Sequence, residues 1–333
     1  MQASWVQRWN NLNIYHHINM RKVQQKVILL IMSSAIFALF LHYKQGKLNF
    51  QNVNPQYSVT EAQESRKAAV RSVCKSNNLS SSSFALDRKV AAQLYVDHSH
   101  RFIYCEVPKV GCSNWKRIIL LLNESFGHTS YELQHYQVHN SKQLKKLSEY
   151  PPSGQKEFLA NYTKVMFTRD PLERVVSAYR DKFLHEDDVY YRENITKLIK
   201  KSLGIQSKTN ITFEQFANFI TKENPYYRDT HWKPMYQLCE PCNIQYDFIG
   251  KFETLADDAD FVLKIIGAPK KLKYPTMKHH ANESRTNYDI SIRYLEMLPP
   301  VLFRKLLSVY SLDFSIFDYS YYQTTISKLP KTT

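Results

Sequence analysis

KVMFTRDPLERVVSAYRDKF, residues 164–183, decides the fold. Residues 164–168 read as a buried strand, Arg169 and Asp170 interrupt it, and Pro171 takes the first helical position. Proline is favoured there because its missing N–H would lack an intrahelical partner anyway. Val175, Val176 and Tyr179 carry an apolar helical face to about Phe183. RFIYCEV at 101–107 repeats the pattern as a second buried strand. The loop Pro108-Lys-Val-Gly-Cys112 follows, and Ser113 caps a helix whose apolar face includes Trp115, Ile118, Ile119 and Leu122. Further blocks predict a helix near 213–221, a strand at 246–250, a helix at 253–266 and one or two helices between 289 and 310. Strands alternating with helices predict an α/β class, a parallel sheet flanked by helices, with ligands at the strands' C-terminal ends.

Each loop has its own chemistry. A tight turn into a helix, as in PKVGCSNWKR (108–117), aims backbone N–H groups at one spot and favours an anion. Lys109 adds a full charge, and Gly111 lets a ligand approach the backbone; a plain turn with a solvated lysine is the competing reading. In the second unit Ser177 lies eight residues after Arg169, a little over two helical turns, so both fall on nearly one side. A guanidinium fork with a hydroxyl suits a phosphate monoester. Pairing of Arg169 with Asp170 or Glu173 is the alternative. Only seven glycines occur, too far apart for a Walker A loop or a G-x-G-x-x-G fingerprint.

The 45 basic and 30 acidic residues give +15, which implies an anionic partner. Residues 1–26 carry no Asp or Glu, and an apolar run follows at 27–43. Its late position and the absence of a clear small-x-small site favour an uncleaved transmembrane signal anchor over a cleaved signal peptide. The positive-inside rule then makes 1–26 a cytoplasmic tail, although Lys44 and Lys47 oppose that orientation. Six N-x-S/T sequons, at Asn78, Asn123, Asn161, Asn194, Asn210 and Asn282, all follow the run and fit a luminal domain. Residues 44–90 are polar and serine-rich, which predicts a luminal stem before a catalytic domain at 91–325. No nucleic-acid partner is expected. Of five cysteines, Cys239 and Cys242 form C-E-P-C, open to a zinc, a redox or, better, a structural disulfide reading.

Together the two units resemble the Golgi carbohydrate sulfotransferases (sulfotransferase family 2), most closely those acting on the 4-hydroxyl of N-acetylgalactosamine. The resemblance spans roughly 95–322 and continues through His231-Trp232, LCEPC, YDFIGKFETLADDADFVLKIIGAP, Ser284-Arg285-Thr286 and YSLDFSIFDYS. FTRDPLERVV stands where FVREPFERLV is commoner, with Arg and Ser retained. It implies a P-loop-like sulfotransferase fold and 3′-phosphoadenosine 5′-phosphosulfate as donor, without a metal. The first motif, Pro108, Lys109, Val110, Gly111, Cys112, Ser113, Asn114 and Trp115, would hold the 5′-phosphosulfate. Arg169, Asp170 and Ser177 would hold the 3′-phosphate.

The expected reaction is in-line transfer to a sugar hydroxyl of an N-glycan or a chondroitin- or dermatan-type chain, with uronic acid as the alternative acceptor. Lys109 stabilises the leaving charge with the amides of residues 111–115, and a histidine acts as base, His139 first and His231 second; His231 positioning the sugar, or a structural hydrogen-bonding role for either ring, is the alternative. Arg285 would contact the nucleotide or an acidic polymer, with a solvated surface arginine as the competing reading. The implied location is the Golgi membrane, single-pass type II. A metal-dependent glycosyltransferase is the competing class, because Asp258-Ala259-Asp260 spells D-x-D; helical spacing around it favours caps and solvated charges. A non-enzymatic glycan-binding protein would not need both phosphate motifs.

Overall fold

β1 (Leu94–Asp97), β2 (Phe102–Cys105), β3 (Lys145–Lys146), β4 (Thr163–Thr168) and β5 (Phe248–Lys251) form one sheet in the order β3-β1-β2-β4-β5. The computed structural model describes residues 58–81, 85–122, 133–185, 188–206, 209–277 and 283–319. The expected parallel sheet is therefore a mixed one. β2, β4 and β5 run parallel, whereas β1 pairs antiparallel with both β2 and β3. Four residues separate β1 from β2, enough for a hairpin but not for the crossover that parallel strands need.

The two diagnostic units lie in the parallel half. The Cys112–Leu122 helix follows β2 and the Pro171–Phe183 helix follows β4. Trp115 joins them, its ring 5.5 Å from Tyr104 and 5.0 Å from Phe167, all fully buried. Full burial of each such side chain contributes about 1.5–3 kcal/mol. Gly250 makes this packing possible, since a Cβ there would overlap the Phe167 ring.

The chain divides into two units, Met1–Ser58 and Val59–Thr333. Residues 59–90, expected within the stem, therefore fall in the same unit as the sheet. The Val59–Ser76 helix covers the edge of β5: Gln63 accepts from the Ile249 N–H and donates to its carbonyl, each at 2.9 Å. Arg66 donates to the same carbonyl and pairs with buried Asp258 at 2.7 Å. Capping an edge strand requires polar side chains, and that polarity imitates a stem.

Asp258 also accepts from the Lys251 amide and Thr254, while exposed Asp260 pairs with Lys273. Asp258 is thus committed to structure, and Asp260 is a solvated surface charge. Cys105 bonds Cys239 and Cys74 bonds Cys242, so C-E-P-C anchors two separate disulfides. Zinc and redox readings of that motif are thereby removed; buried Cys112 is free. Among the described residues no helix is long and apolar enough to cross a membrane. The expected anchor at 27–43 lies outside them, as do Asn123 and Asn282; Asn78, Asn161, Asn194 and Asn210 are exposed.

Candidate active site

A cavity of about 710 Å³ opens at the C-terminal ends of the parallel strands. Pro108, Lys109, Gly111, Cys112, Ser113 and Asn114 border it from the first unit, Arg169 and Ser177 from the second, and His139 and His231 from elsewhere. Val110, Trp115 and Asp170 do not border it: the first two are core, and the third caps its own helix.

The 108–111 turn holds two left-handed residues, Lys109 at φ 73° and Gly111 at φ 81°. Its carbonyls are anchored. Arg174 Nε donates to Pro108 O at 2.9 Å, Arg169 Nη1 to Lys109 O at 3.1 Å, and the Tyr274 hydroxyl to Gly111 O at 3.0 Å. Because a trans peptide sets its N–H opposite its C=O, the amides of Val110 and Cys112 face away from the Arg169 and Tyr274 anchors. The amides of Asn114 and Trp115, expected in the cradle, are instead spent on Gly111 O. The Asn114 side chain is likewise committed, donating to Pro275 O at 2.6 Å. Lys109 Nζ rests 3.1 Å from Asp181. Burial lowers the Lys109 pKa and Asp181 opposes it; Lys109 and Lys182 in turn overcome burial to hold Asp181 low.

In the second unit Asp170 accepts from the amides of Leu172 and Glu173. Burial, chiefly, pushes its carboxyl up to about 7. Arg169 is buried over the Phe252 ring and donates to Thr286 O as well as to Lys109 O. Among the described residues no acceptor meets its Nε. Its Nη2 also pairs with Glu173 at 3.4 Å, the alternative expected from the sequence, yet the orphaned Nε–H on a residue that borders the cavity, as Ser177 also does, fits an anionic ligand. Arg285 borders the same cavity and donates to Thr276 O.

Arg174 was not distinguished by its sequence position, yet it is fully buried and ties the two sides of the cavity together. Besides Pro108 O it reaches Lys233 O and Thr230 O, each at 2.7 Å, and so fixes the His231 turn against the Lys109 turn. Asp229, Tyr191, Lys116 and Glu106 were also missed, because their contacts arise between distant segments. His231 Nδ1 lies 2.8 Å from Asp229 Oδ1 and 2.8 Å from the Tyr191 hydroxyl. His139 Nε2 lies 2.9 Å from Ser113 Oγ, and its Nδ1 lies 3.2 Å from Lys116 Nζ. Among the described residues no cluster of His, Cys, Asp and Glu is arranged to hold a metal ion.

The sequence profile of the Sulfotransferase family matches residues 92–320. Carbohydrate sulfotransferase 9 of Homo sapiens is 38% identical over 268 residues, covering 78% of this chain and 60% of that protein. Carbohydrate sulfotransferase 8 of Mus musculus is 35% identical over 276 residues, covering 79% of this chain and 65% of its own length. Carbohydrate sulfotransferase 14 of Danio rerio is 36% identical over 276 residues, covering 79% and 73%. The chain thus spans less than two thirds of the first two relatives. No solved structure matches it.

Proposed function

The chain belongs to the sulfotransferase family, and from that premise we propose that it transfers a sulfuryl group from 3′-phosphoadenosine 5′-phosphosulfate to a sugar hydroxyl. The acceptor we favour is the 4-position of N-acetylgalactosamine, on an N-glycan or a chondroitin- or dermatan-type chain; a uronic acid is the alternative. The observation that carries the reading is the convergence of Lys109 with its turn, Arg169 and Ser177 on one cavity of about 710 Å³. That volume suits a nucleotide-sized ligand with part of a sugar. Relatives called carbohydrate sulfotransferases support the sugar acceptor.

Bound 3′-phosphoadenosine 5′-phosphosulfate supplies an activated sulfuryl group on a phosphate leaving group. Lys109 and the amides of its turn hold the phosphosulfate end and stabilise negative charge developing there. Arg169 and Ser177 would hold the 3′-phosphate, which would supply an acceptor for the orphaned Arg169 N–H. Asp181 keeps Lys109 charged and positioned until the ligand arrives. A cavity histidine takes the acceptor proton, and no metal is needed for these roles.

We also propose a Golgi-membrane, type II arrangement, with residues 27–43 as anchor and the catalytic domain in the lumen. The four exposed sequons and two disulfides support an oxidising, glycosylating compartment. A shift in mobility after N-glycosidase treatment of the full chain checks this; an unshifted band argues against it. The decisive assay follows labelled sulfate from the donor, without added metal, onto galactosaminyl and uronyl acceptors, with linkage analysis of the product. Failure to sulfate every one of them overturns the proposed reaction.

A further inference from the structure

We propose that the two cavity histidines have opposite roles: His231, backed by Asp229, takes the acceptor's proton, and His139, backed by Lys116, is fixed as a hydrogen-bond donor that orients Ser113. The inference rests on the sulfuryl-transfer reading and assigns the base within that site. It reverses the order expected from the sequence, where His139 came first.

The partners decide the tautomers. Lys116 is buried, its ammonium 2.6 Å from Glu106 Oε1 and 3.2 Å from His139 Nδ1. An ammonium donates and never accepts, so His139 Nδ1 must present its lone pair. The neutral ring then carries its proton on Nε2 and gives it to Ser113 Oγ, 2.9 Å away. Ser113 Oγ, having accepted, has its own O–H free to donate into the cavity it borders. Lys116 thus donates to Glu106 on one side and to His139 on the other, and from Lys116 through His139 to Ser113 each hydrogen points towards the anion-binding turn. For His139 to act as base at Nε2, it would need a proton on Nδ1, against the Lys116 ammonium.

His231 has the opposite wiring. The Tyr191 hydroxyl donates to Asp229 Oδ2 at 2.8 Å, and the His231 amide donates to Asp229 Oδ1 at 2.8 Å. With its one hydrogen given to Asp229, the Tyr191 oxygen turns a lone pair to His231 Nδ1, 2.8 Å away, and Asp229 Oδ1, also at 2.8 Å, accepts from Nδ1–H. The proton therefore sits on Nδ1, and Nε2 keeps the lone pair a base requires. A carboxylate behind the ring also stabilises the imidazolium that forms.

In the step itself the acceptor's O–H bond breaks as its oxygen bonds to sulfur. The S–O bond to the leaving phosphate breaks and its electron pair goes to that phosphate. The proton ends on His231 Nε2, and the imidazolium returns it to solvent after product release. The charges around His231 are Asp229 on its own turn, Lys182 and Asp181 on the Pro171–Phe183 helix, and Lys109 on the loop. Burial lowers the His231 pKa first, and Lys182 and Lys109 add to it, while Asp229 opposes them. The ring is accordingly neutral and ready to accept. Partial burial and then Lys116 hold the His139 pKa far down as well, so protonation state does not separate the two rings; wiring does.

The first test is ¹⁵N NMR of the histidine rings in the full chain. It needs no turnover. A Nδ1–H tautomer at His231 and a Nε2–H tautomer at His139 are expected; Nδ1–H at His139 overturns the proposal. The second compares H231Q with H139Q. H231Q lowers kcat by about 10²–10⁴-fold, with calorimetric affinity for adenosine 3′,5′-bisphosphate unchanged. H139Q retains an amide donor for Ser113 and stays within about tenfold of wild type, the cost of one reshaped hydrogen bond. The reverse order of losses refutes the assignment. D229N moves the acid limb of kcat to lower pH, because the charge supporting protonated His231 is gone; an acid limb that moves only in K116M assigns the base to His139. A wild-type protein that binds the nucleotide yet sulfates no sugar overturns the proposed reaction instead, and leaves the tautomer result standing.

Discussion

The loop after β2 and the loop after β4 both feed a helix beside the cavity, yet one is left open to an anion and the other carries its own. After β2 the turn has left-handed residues at 109 and 111, and three side chains from outside hold its carbonyls. After β4 the Asp170 carboxylate already occupies the helix N-terminus, accepting from Leu172 and Glu173. The first unit therefore offers amides and Lys109. The second offers side chains: Arg169 and Ser177 to the cavity, Arg169 and Arg174 to the first loop. In the proposed reading, one supersecondary pattern serves as a binding turn where no side chain caps its helix and as a brace where an aspartate does.

The largest expected effect tests the open loop. Lys109→Ala should lower turnover by about 10²–10³-fold, as loss of one preorganised charge does at such sites; Arg169→Ala should weaken donor binding alongside it. Wild-type donor affinity in both variants, by calorimetry, would break the comparison at its root. The brace comes next. Arg174→Ala removes three hydrogen bonds from a buried charge and should cost about 3–6 kcal/mol, read as a fall in thermal unfolding midpoint. Replacing Cys105 and Cys239 together with alanine should cost about 2–5 kcal/mol in chemical denaturation, because β2 then loses its covalent tie to residue 239.

Smaller effects sharpen the picture. Gly111→Ala sets a Cβ at a left-handed position and against the Tyr274 hydroxyl, so it should cost about 1–3 kcal/mol and loosen donor binding more than it alters the fold. The smallest concerns pH. Asp170 titrates at about 7 when folded, above its ordinary 3.8, so the folded state binds the extra proton between those values. Stability from this group is complete below its unfolded pKa and is lost as pH rises through about 7. Asp170→Asn keeps the cap without that loss, so its advantage in unfolding midpoint should grow between those two pH values; a constant difference refutes the burial account.

Much of the parallel half was legible. Pro171 begins its helix and Phe183 ends it, as the spacing predicts, and the 213–221 helix is one residue longer. The antiparallel strands were not. β1 is only four residues long, and β3 is two lysines whose strand character exists only by pairing with Tyr95 and Val96. Residues 59–76 were misread for a related reason: Gln63 and Arg66 are buried as partners of Ile249, 186 and 183 residues away.

By itself the sequence determined the two strand–loop–helix units, the lysine-led turn, the Arg169 and Ser177 pair and the family. These depend on backbone preferences and periodicities set among near neighbours. Only the tertiary structure decided what each polar group is bonded to. It spent the Asn114 and Trp115 amides, filled one helix N-terminus with Asp170, bonded Cys239 and Cys242 to different partners, and wired His139 to an ammonium but His231 to a carboxylate. A hydrogen bond is satisfied by whatever group the fold brings within about 3 Å, and no spacing along the chain encodes that choice.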